Sequence, residues 1–251
     1  MTDDKPLSEL KDAFLVVEEK VDGANCALSF GEAGGLLLQS RGHFLTGGHR
    51  ERHFAMLKTW AACHAVRFHD VLGARFIMYG EWMYAKHTVF YDELPHYFLE
   101  FDVFDRERSV FLSTEARRTL LAGLPVMPVP VLHEGRVRTS GEIDAFVRPS
   151  LYKSEGWREQ LEEAAIASNS RADFVAKQTE DSDLAEGLYL KQEEGDCVID
   201  RFKFVRSDFV QAIQASDSHW HDRPILPNQL RSGIDIFASV LGVKGAYDET
   251  S

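Results

Sequence analysis

The stretch that decides the fold is Lys20-Val21-Asp22-Gly23-Ala24-Asn25, a KxDGxN string that follows an apolar run over residues 14–17. The run has the length of a strand, and the glycine predicts a tight turn after it. A lysine beside such a turn can act as a nucleophile toward a nucleotide phosphate. Because the string is short and matches ordinary hairpin turns, its meaning depends on the rest of the chain.

The composition is typical of a globular protein that can bury a sizeable core. Of the 251 residues, 44% are hydrophobic and 27% are charged. The first residues include no apolar stretch long enough for a signal peptide or a membrane helix, so we expect no membrane association and a cytoplasmic location. Cys26, Cys63 and Cys197 are scattered, which favours reduced packing residues over a disulfide framework or a zinc site.

The charge is unevenly distributed. A net charge of −12 argues against a general nucleic-acid coat, which needs a basic face. Residues 36–58 nevertheless carry four Lys or Arg against one Glu, and such a basic strip can meet a phosphate backbone. The candidates to receive a 5′-phosphate are His43, His49, Arg50 and Arg52, with the backbone amides near Gly47 and Gly48. A solvated loop is the alternative.

The hydrophobic pattern predicts an α+β fold with mainly antiparallel sheets flanked by helices. Strands are expected over residues 14–17, 26–30, 35–39, 76–79, 97–104, 187–191 and 197–205. Helices are expected over residues 50–72, 114–121, 154–177, 208–215 and 226–241.

Five further segments supply groups that nucleotide chemistry needs, namely Ser40-Arg41, Gly80-Glu81, Phe101-Asp102, the EGxxxK run from Glu186 to Lys191, and Arg201-Phe202-Lys203. In an extended strand, Arg201 and Lys203 point the same way because they are two residues apart. Glu186 and Lys191 have an odd separation, so Glu186 must precede the strand if both serve one site.

The order of these six motifs resembles the covalent nucleotidyltransferase superfamily of ATP-dependent ligases and RNA capping enzymes. Within it, the chain looks most like an ATP-dependent RNA ligase, because Asn25 after the KxDG resembles the RNA-ligase form of that motif. The resemblance covers residues from about 14 to 206. Arg201 departs from the pattern, since the family usually has Lys there, but Arg keeps the charge.

The resemblance implies a nucleotidyltransferase (adenylation) domain over residues 1–206, with a helical insertion near 113–180. Few residues follow Lys203, which implies no C-terminal OB-fold. Residues 207–251 are then expected to form a short helical appendage packed on the same domain.

The resemblance also implies the chemistry. Lys20 would attack the α-phosphate of ATP to form a covalent lysyl-AMP, pass AMP to a 5′-phosphate end, and allow sealing to a 3′-OH. Lys191 and Lys203 are the other expected catalytic residues, which neutralise charge on the phosphates. Attack needs the neutral amine, so we expect these lysines or a bound metal to lower the pKa of Lys20.

The remaining site residues are assigned by the same resemblance. Glu186 is expected to bind Mg²⁺ or Mn²⁺, which prefer hard carboxylate oxygens. Arg41 and Glu81 are expected to contact the ribose, and Arg201 the phosphates.

Five positions complete the expected adenylate site. Phe101 would stack on the adenine, although a phenylalanine in so apolar a strand is often a core residue. Glu19 would read the adenine edge through its carboxylate or its backbone. Asp22 and Asn25, with Gly23 between them, would fix the loop and orient the lysine or the phosphate.

The expected substrate is RNA with 5′-phosphate and 3′-OH ends, and an end-healing kinase or phosphatase is a possible partner. The alternatives are a DNA ligase or another polynucleotide nucleotidyltransferase, and a noncatalytic nucleotide- or RNA-binding module of the same fold.

Overall fold

A computed structural model describes residues 13–210 and 224–238. Within them the strands are β1 (Phe14–Lys20), β2 (Ala24–Phe30), β3 (Leu36–Ser40), β4 (His43–Phe44), β5 (Phe76–Trp82), β6 (Phe98–Asp105), β7 (Val110–Leu112), β8 (Met127–Pro128), β9 (Val131–Arg136), β10 (Gly187–Glu194) and β11 (Cys197–Val205). A 3-10 helix covers His49–Phe54, and the α-helices are α1 (Ala55–Cys63), α2 (Ala65–Leu72), α3 (Thr114–Leu121), α4 (Ser140–Asp144), α5 (Trp157–Ala167) and α6 (Ala172–Lys177).

The strands follow one continuous order, β4-β3-β2-β5-β6-β7-β11-β10-β1-β9, with β8 attached to β6. All neighbours on this path are antiparallel, and only the β6–β8 pair is parallel. The expected mainly antiparallel architecture with flanking helices is confirmed. The short β7 joins one half of the sheet, which contains β2, β5 and β6, to the other half, which contains β1, β10 and β11.

Each half of the sheet covers its own apolar core. The larger core lies between β2, β5 and β6 and helices α1 and α2. The smaller core contains Leu15, Val17, Leu188, Leu190 and Phe202, which all point to one face of β1, β10 and β11. Because side chains alternate along a strand, the other face of β1 carries Glu18 and Lys20. This second face of β1 is therefore the one that can carry the candidate active site.

Several elements differ from the sequence prediction. The region near 113–180 is not purely helical, because β9 lies within it and pairs with the other edge of β1. The helix expected over 50–72 is interrupted at His64, whose φ of −107° and ψ of 7° are not helical. The helix expected over 154–177 is divided into α5 and α6 near Asn169, which adopts a positive φ of 53°.

The helix expected over 226–241 is wrong for its described part, residues 226–238, which form no helix. This segment makes isolated bridges with the chain after β5, at Ala85–Pro227 and Leu94–Leu230. Pro227 offers no backbone N–H and disfavours a helical conformation at the preceding residue. Of the expected helix 208–215, residues up to 210 are helical, and the rest lies outside the described residues.

All three cysteines are free thiols, as expected, but only Cys26 is buried, and Cys63 is exposed. Among the described residues, no helix is long and apolar enough to cross a membrane. The cytoplasmic location and the lack of an OB-fold stay predictions.

Candidate active site

The lysine of the first motif lies at the end of β1, beside the residue that precedes β10. Antiparallel pairing places Lys20 opposite Gly187, and the Lys20 Nζ atom lies 2.6 Å from Oε1 of Glu186. As expected from the odd spacing, Glu186 precedes β10, which begins at Gly187. The Lys20 side chain keeps 23% of its surface exposed, so a ligand can reach its amine.

Carboxylates dominate the electrostatic environment of Lys20. Burial alone would lower the pKa of its amine, but Glu186, Glu81 and Asp22 outweigh that effect and raise the pKa above its ordinary value. The expectation that neighbouring lysines lower this pKa is therefore wrong, because acids rather than cations surround the amine. Burial raises the pKa of Glu186 and that of Glu81 to about 7, so Lys20 holds the proton of its ion pair.

Asp22 holds the segment that follows β5 against the KxDG turn. Its Oδ2 atom accepts hydrogen bonds from the backbone N–H groups of Thr88, over 2.7 Å, and Val89, over 2.8 Å. Its own backbone N–H donates to the hydroxyl oxygen of Tyr91 over 2.9 Å. These contacts support the prediction that Asp22 fixes the geometry of the loop.

Two glycines allow the site to close around Lys20. A Cβ atom at Gly23 would lie 2.7 Å from Sδ of Met83 and 2.9 Å from the backbone oxygen of Trp82. A Cβ atom at Gly187 would lie 1.9 Å from the backbone oxygen of Phe204. Since neither backbone oxygen can move aside cheaply, both positions exclude a side chain.

Asn25 and Glu81 lie on adjacent strands at this end of the sheet, and Arg41 directly follows the next strand, β3. Asn25 in β2 pairs with Glu81 in β5, and Ser40, which precedes Arg41, pairs with Cys26 of β2. Arg41 is exposed, and Glu81 is close enough to Lys20 to raise its pKa. A carboxylate and a guanidinium in this arrangement match the expected contacts with ribose hydroxyl groups.

Lys191 lies beneath the site rather than in it. Its side chain is fully buried, and its Nζ atom lies 2.9 Å from Oε2 of Glu18 and 3.2 Å from Oδ1 of Asp102. It also donates a hydrogen bond to the backbone oxygen of Phe101. If this lysine turned to a phosphate, Glu18 and Asp102 would each lose one of their buried cationic partners. Lys191 therefore has a structural role in this ion-pair network, and its catalytic role stays a prediction.

Lys191 belongs to a buried ionic cluster of acids and bases that connects the two halves of the sheet, formed by Glu18, Glu100, Asp102, Arg117, Lys191 and Arg201. Arg117 in α3 donates to both carboxylate oxygens of Glu100 over 3.1 Å and to Glu18 over 2.6 Å. The Tyr189 hydroxyl donates to Asp102 over 2.9 Å. Every acid therefore faces a cation or a hydroxyl donor.

The basic pair of β11 remains at the surface of the site. Arg201 donates to Oδ2 of Asp102 over 2.8 Å, and its guanidinium carbon lies 3.5 Å from the centroid of the Phe111 ring. Lys203 is exposed. Against the dominant effect of burial, Lys20 and then Lys203 lower the pKa of Glu186. Both β11 cations thus stay candidates for phosphate contacts.

Phe101 is partly buried and packs against the larger core. Its ring meets that of Tyr189 edge-on, with centroids 5.9 Å apart and an interplanar angle of 75°. The partial burial of Phe101 fits a core residue, and the part of this residue that stays exposed fits a side chain that stacks on a base. Its stacking on adenine stays a prediction.

Glu19 points to the opposite face of β1 from Lys20. Its carboxylate accepts hydrogen bonds from the Ser150 hydroxyl over 2.5 Å and from the Leu151 backbone N–H over 3.2 Å. The backbone N–H of Glu19 donates to the oxygen of Pro130. We correct the prediction that this carboxylate reads the adenine edge, since alternation along the strand directs it away from the site.

The backbone amides expected to receive a 5′-phosphate already bind an internal anion. Glu51 accepts hydrogen bonds from the N–H groups of Thr46, over 3.2 Å, and Gly47, over 2.8 Å. Lys58 forms an ion pair with the same carboxylate. These two backbone N–H groups and the Lys58 amine in residues 36–58 are therefore already paired with a carboxylate of the same chain.

Glu186 fits the expected divalent cation. Its Oε2 atom is buried and has no hydrogen-bond partner among the described residues, and a cation would satisfy such an oxygen. The same residues contain no cluster of three or more His, Cys, Asp or Glu side chains arranged to hold a metal. The arrangement therefore suits Mg²⁺ or Mn²⁺ held by one or two carboxylates together with phosphate oxygens.

Sequence reasoning missed Glu18, Arg117 and Tyr91. Glu18 could have been found, because it lies two residues before Lys20 and must share its face. Arg117 and Tyr91 lie in a helix and a loop that meet the motifs only through the tertiary fold. Neither carries a local signal.

Comparisons with known proteins give a family and a fold. A family model described as RNA ligase matches residues 13–205. A sequence search against curated proteins finds no significant match.

Solved structures of similar fold include those of the Naegleria gruberi RNA ligase. A mutant of that protein with ATP and Mn has a TM-score of 0.53 and 19% identity, over 83% of this chain and 54% of that chain. The protein with PPi gives the same values. Another mutant, with AMP and Mn, has a TM-score of 0.54 and 18% identity, over 82% of this chain and 53% of that chain. The chain thus spans about half the length of these structures, and the likeness shows a common fold.

Proposed function

The chain belongs to the RNA ligase family, and on that premise we propose that it is an ATP-dependent RNA ligase. The observation that carries this proposal is the position of Lys20. Its side chain is partly exposed at the end of β1, and its amine forms an ion pair with Glu186, the residue before β10. The lysine of the KxDG motif therefore contacts the carboxylate of the EGxxxK motif.

In the proposed first step, Nζ of Lys20 attacks the α-phosphorus of ATP. The protonated amine first releases a proton to solvent. A nitrogen–phosphorus bond then forms as the bond from phosphorus to the pyrophosphate oxygen breaks, and a second proton passes from the nitrogen to solvent. The products are lysyl-AMP and pyrophosphate. AMP then passes to the 5′-phosphate of an RNA end, and a 3′-OH displaces AMP to seal the strand.

The residues around Lys20 have distinct proposed roles. Glu186 lies nearest to the amine and accepts a hydrogen bond from its protonated form. A divalent cation bound by Glu186 would neutralise phosphate charge and weaken the hold of this carboxylate on the proton of Lys20. Lys203 and Arg201 stabilise the negative charge that develops on the phosphates.

The nucleoside is proposed to bind along the adjacent strands. Glu81 and Arg41 contact the ribose hydroxyls, Asn25 lies between their strands, and Phe101 stacks on the adenine. Asp22 and Gly23 set the turn that carries Lys20 toward the α-phosphate.

Incubation with labelled ATP and Mg²⁺ tests the first step. The unmodified protein is expected to gain one covalent AMP by mass spectrometry, and Lys20→Ala is expected to gain none. Lys58→Ala is a matched control, because Lys58 pairs with Glu51 outside the site, and it should label normally. Labelling of Lys20→Ala would refute the assignment of the nucleophile. An unmodified protein that never labels would instead indicate a noncatalytic nucleotide-binding module.

The nucleic-acid preference needs a separate assay. Nicked duplexes with either RNA or DNA on the 3′-OH side should be compared, since the 2′-OH distinguishes the two. We expect faster sealing with RNA, and equal or faster sealing with DNA would favour a DNA ligase. Breaks that lack a 5′-phosphate or a 3′-OH would first need an end-healing kinase or phosphatase.

A further inference from the structure

Residues 224–238, which we name the C-terminal strap, lie outside the range 13–205 that the family model matches. The strap runs along the segment between β5 and β6. Its backbone makes hydrogen bonds from Lys86 N–H to the Leu226 oxygen, over 2.8 Å, and from Gln229 N–H to the Tyr91 oxygen, over 2.9 Å. Two further bonds join Leu94 to the strap, one with Gln229 and one with Arg231.

Asn228 is the centre of this contact and is 1% exposed. Its side-chain Nδ2 donates to the Met83 oxygen over 2.7 Å, and its Oδ1 accepts from the Tyr91 N–H over 3.0 Å. Its backbone N–H donates to the Tyr84 oxygen over 2.8 Å, and its backbone oxygen accepts from the Tyr97 hydroxyl over 2.9 Å. All the polar groups of one buried residue are thus bonded to one segment.

The segment held by Asn228 is the one that holds the KxDG turn. Tyr91, whose backbone N–H bonds Asn228, accepts the Asp22 N–H through its hydroxyl oxygen. Met83, whose backbone oxygen bonds Asn228, lies directly against Gly23. A single amide therefore connects two of the residues of the segment that touch the turn.

The bridge has a geometric consequence. The Asn228 amide fixes the separation between the Met83 oxygen and the Tyr91 N–H, and these residues support the turn from two sides. Without the amide, both buried backbone groups lose a partner and the segment must shift to recover hydrogen bonds. Because Lys20 lies two residues before Asp22, such a shift would move the attacking amine.

We propose that the C-terminal strap supports the adenylation site through one residue, Asn228, a positioning residue that acts through Tyr91 and Met83 on the KxDG turn. The inference rests on the proposed function, because it concerns the rate at which Lys20 becomes adenylated. Asn228 touches neither the nucleotide nor Lys20, and its role is to place the turn.

The test compares single-turnover adenylation in four full-length variants, which are Asn228→Ala, Tyr91→Phe, the double variant, and Gln229→Ala. Gln229 is the matched control, because it contacts the same segment through its backbone groups. The rate of AMP-adduct formation is measured across ATP concentrations at a temperature where circular dichroism shows each variant folded. The rate at saturating ATP is thereby separated from the ATP concentration that gives half of it.

We expect Asn228→Ala and Tyr91→Phe each to lower the saturating rate about ten- to a hundredfold, as misplacement of a reacting group does. Gln229→Ala should keep the unmodified rate. The double variant should be no slower than the slower single variant, because both changes interrupt one path of contacts.

Folded variants that adenylate at the unmodified rate would overturn the proposal and leave Asn228 a purely structural residue. Rate losses that multiply in the double variant would also overturn it. If Asn228→Ala does not fold, Tyr91→Phe decides alone, since it removes one hydroxyl and keeps the ring. An unmodified protein that forms no adduct would refute the proposed function instead, a result distinct from all of these.

Discussion

Alternation along β1 separates adjacent acids into different surroundings. Glu18 shares a face with Lys20 and pairs with Lys191 and Arg117, whereas Glu19 points away and bonds Ser150. The sequence could predict that Lys20 lies at a strand end and close to Glu186. The order of the motifs indicated that both residues serve one site, and the odd spacing between Glu186 and Lys191 indicated that Glu186 precedes its strand. It could not predict the raised pKa of Lys20, which depends on how Glu81 and Asp22 converge in the fold.

Gly187→Ala tests the close approach of β10 to β11. The new Cβ would lie 1.9 Å from the Phe204 backbone oxygen, so we expect the unfolding free energy to fall by at least about 3 kcal/mol. Urea denaturation measures the change. The control is Gly35→Ala, where a Cβ meets nothing within 4 Å and the change should stay within about 0.5 kcal/mol. Equal stability of the two variants would contradict so close an approach of the two strands at Gly187.

At the level of strands and helices, the EGxxxK motif predicts where Lys191 lies but not which residues it contacts. The motif placed Lys191 on β10 correctly, and on the same face as the site. Its partners, however, come from β1 and β6, and Arg117 of α3 completes their charge balance. No pattern within one strand shows which cations end beneath a site and which remain at its surface.

Lys191→Met tests the structural role of the ionic cluster. The change leaves Glu18 and Asp102 with one cation fewer in a buried environment, so we expect a loss of about 3–5 kcal/mol in unfolding free energy. Lys203→Met, at an exposed position of β11, should cost no more than about 1 kcal/mol and should instead slow adenylation. Thermal or urea unfolding gives the first comparison. A Lys191→Met variant of normal stability but reduced adenylation would instead support the catalytic assignment.

At the scale of the whole molecule, the sequence predicts the α+β class and most strands but not their order. β1 lies between β9 and β10, and β9 was not expected as a strand at all. The helical prediction also failed in the C-terminal strap, because its residues are held by hydrogen bonds to a distant segment rather than by a helical pattern. Such contacts depend on the complete fold.

Glu19 joins β1 to the region between β9 and β10, and we expect it to make stability depend on pH. Burial raises its pKa from 4.5 to about 7, so the folded state keeps a proton that the unfolded state releases. This contribution is complete below the unfolded pKa and is lost as the pH rises through about 7. Its upper limit is roughly 3 kcal/mol.

Glu19→Gln stays neutral at every pH, so its stability relative to the unmodified protein should rise by about 2–3 kcal/mol between pH 5 and pH 8.5. Urea unfolding at both pH values measures this difference. Glu163→Gln, at an exposed position of α5, is the control and should show no such trend. A pH-independent difference for Glu19→Gln would show that this carboxyl titrates normally in the folded protein.

The pairing of β1 with β10 also affects how the protein is made. Lys20 leaves the ribosome long before its ladder partner Gly187. Pairings so distant in sequence form slowly, because the intervening chain must first be ordered. We therefore expect the nascent protein to be unable to react with ATP until β10 and β11 have emerged. The proposed adenylation would then become possible only once β10 has paired with β1.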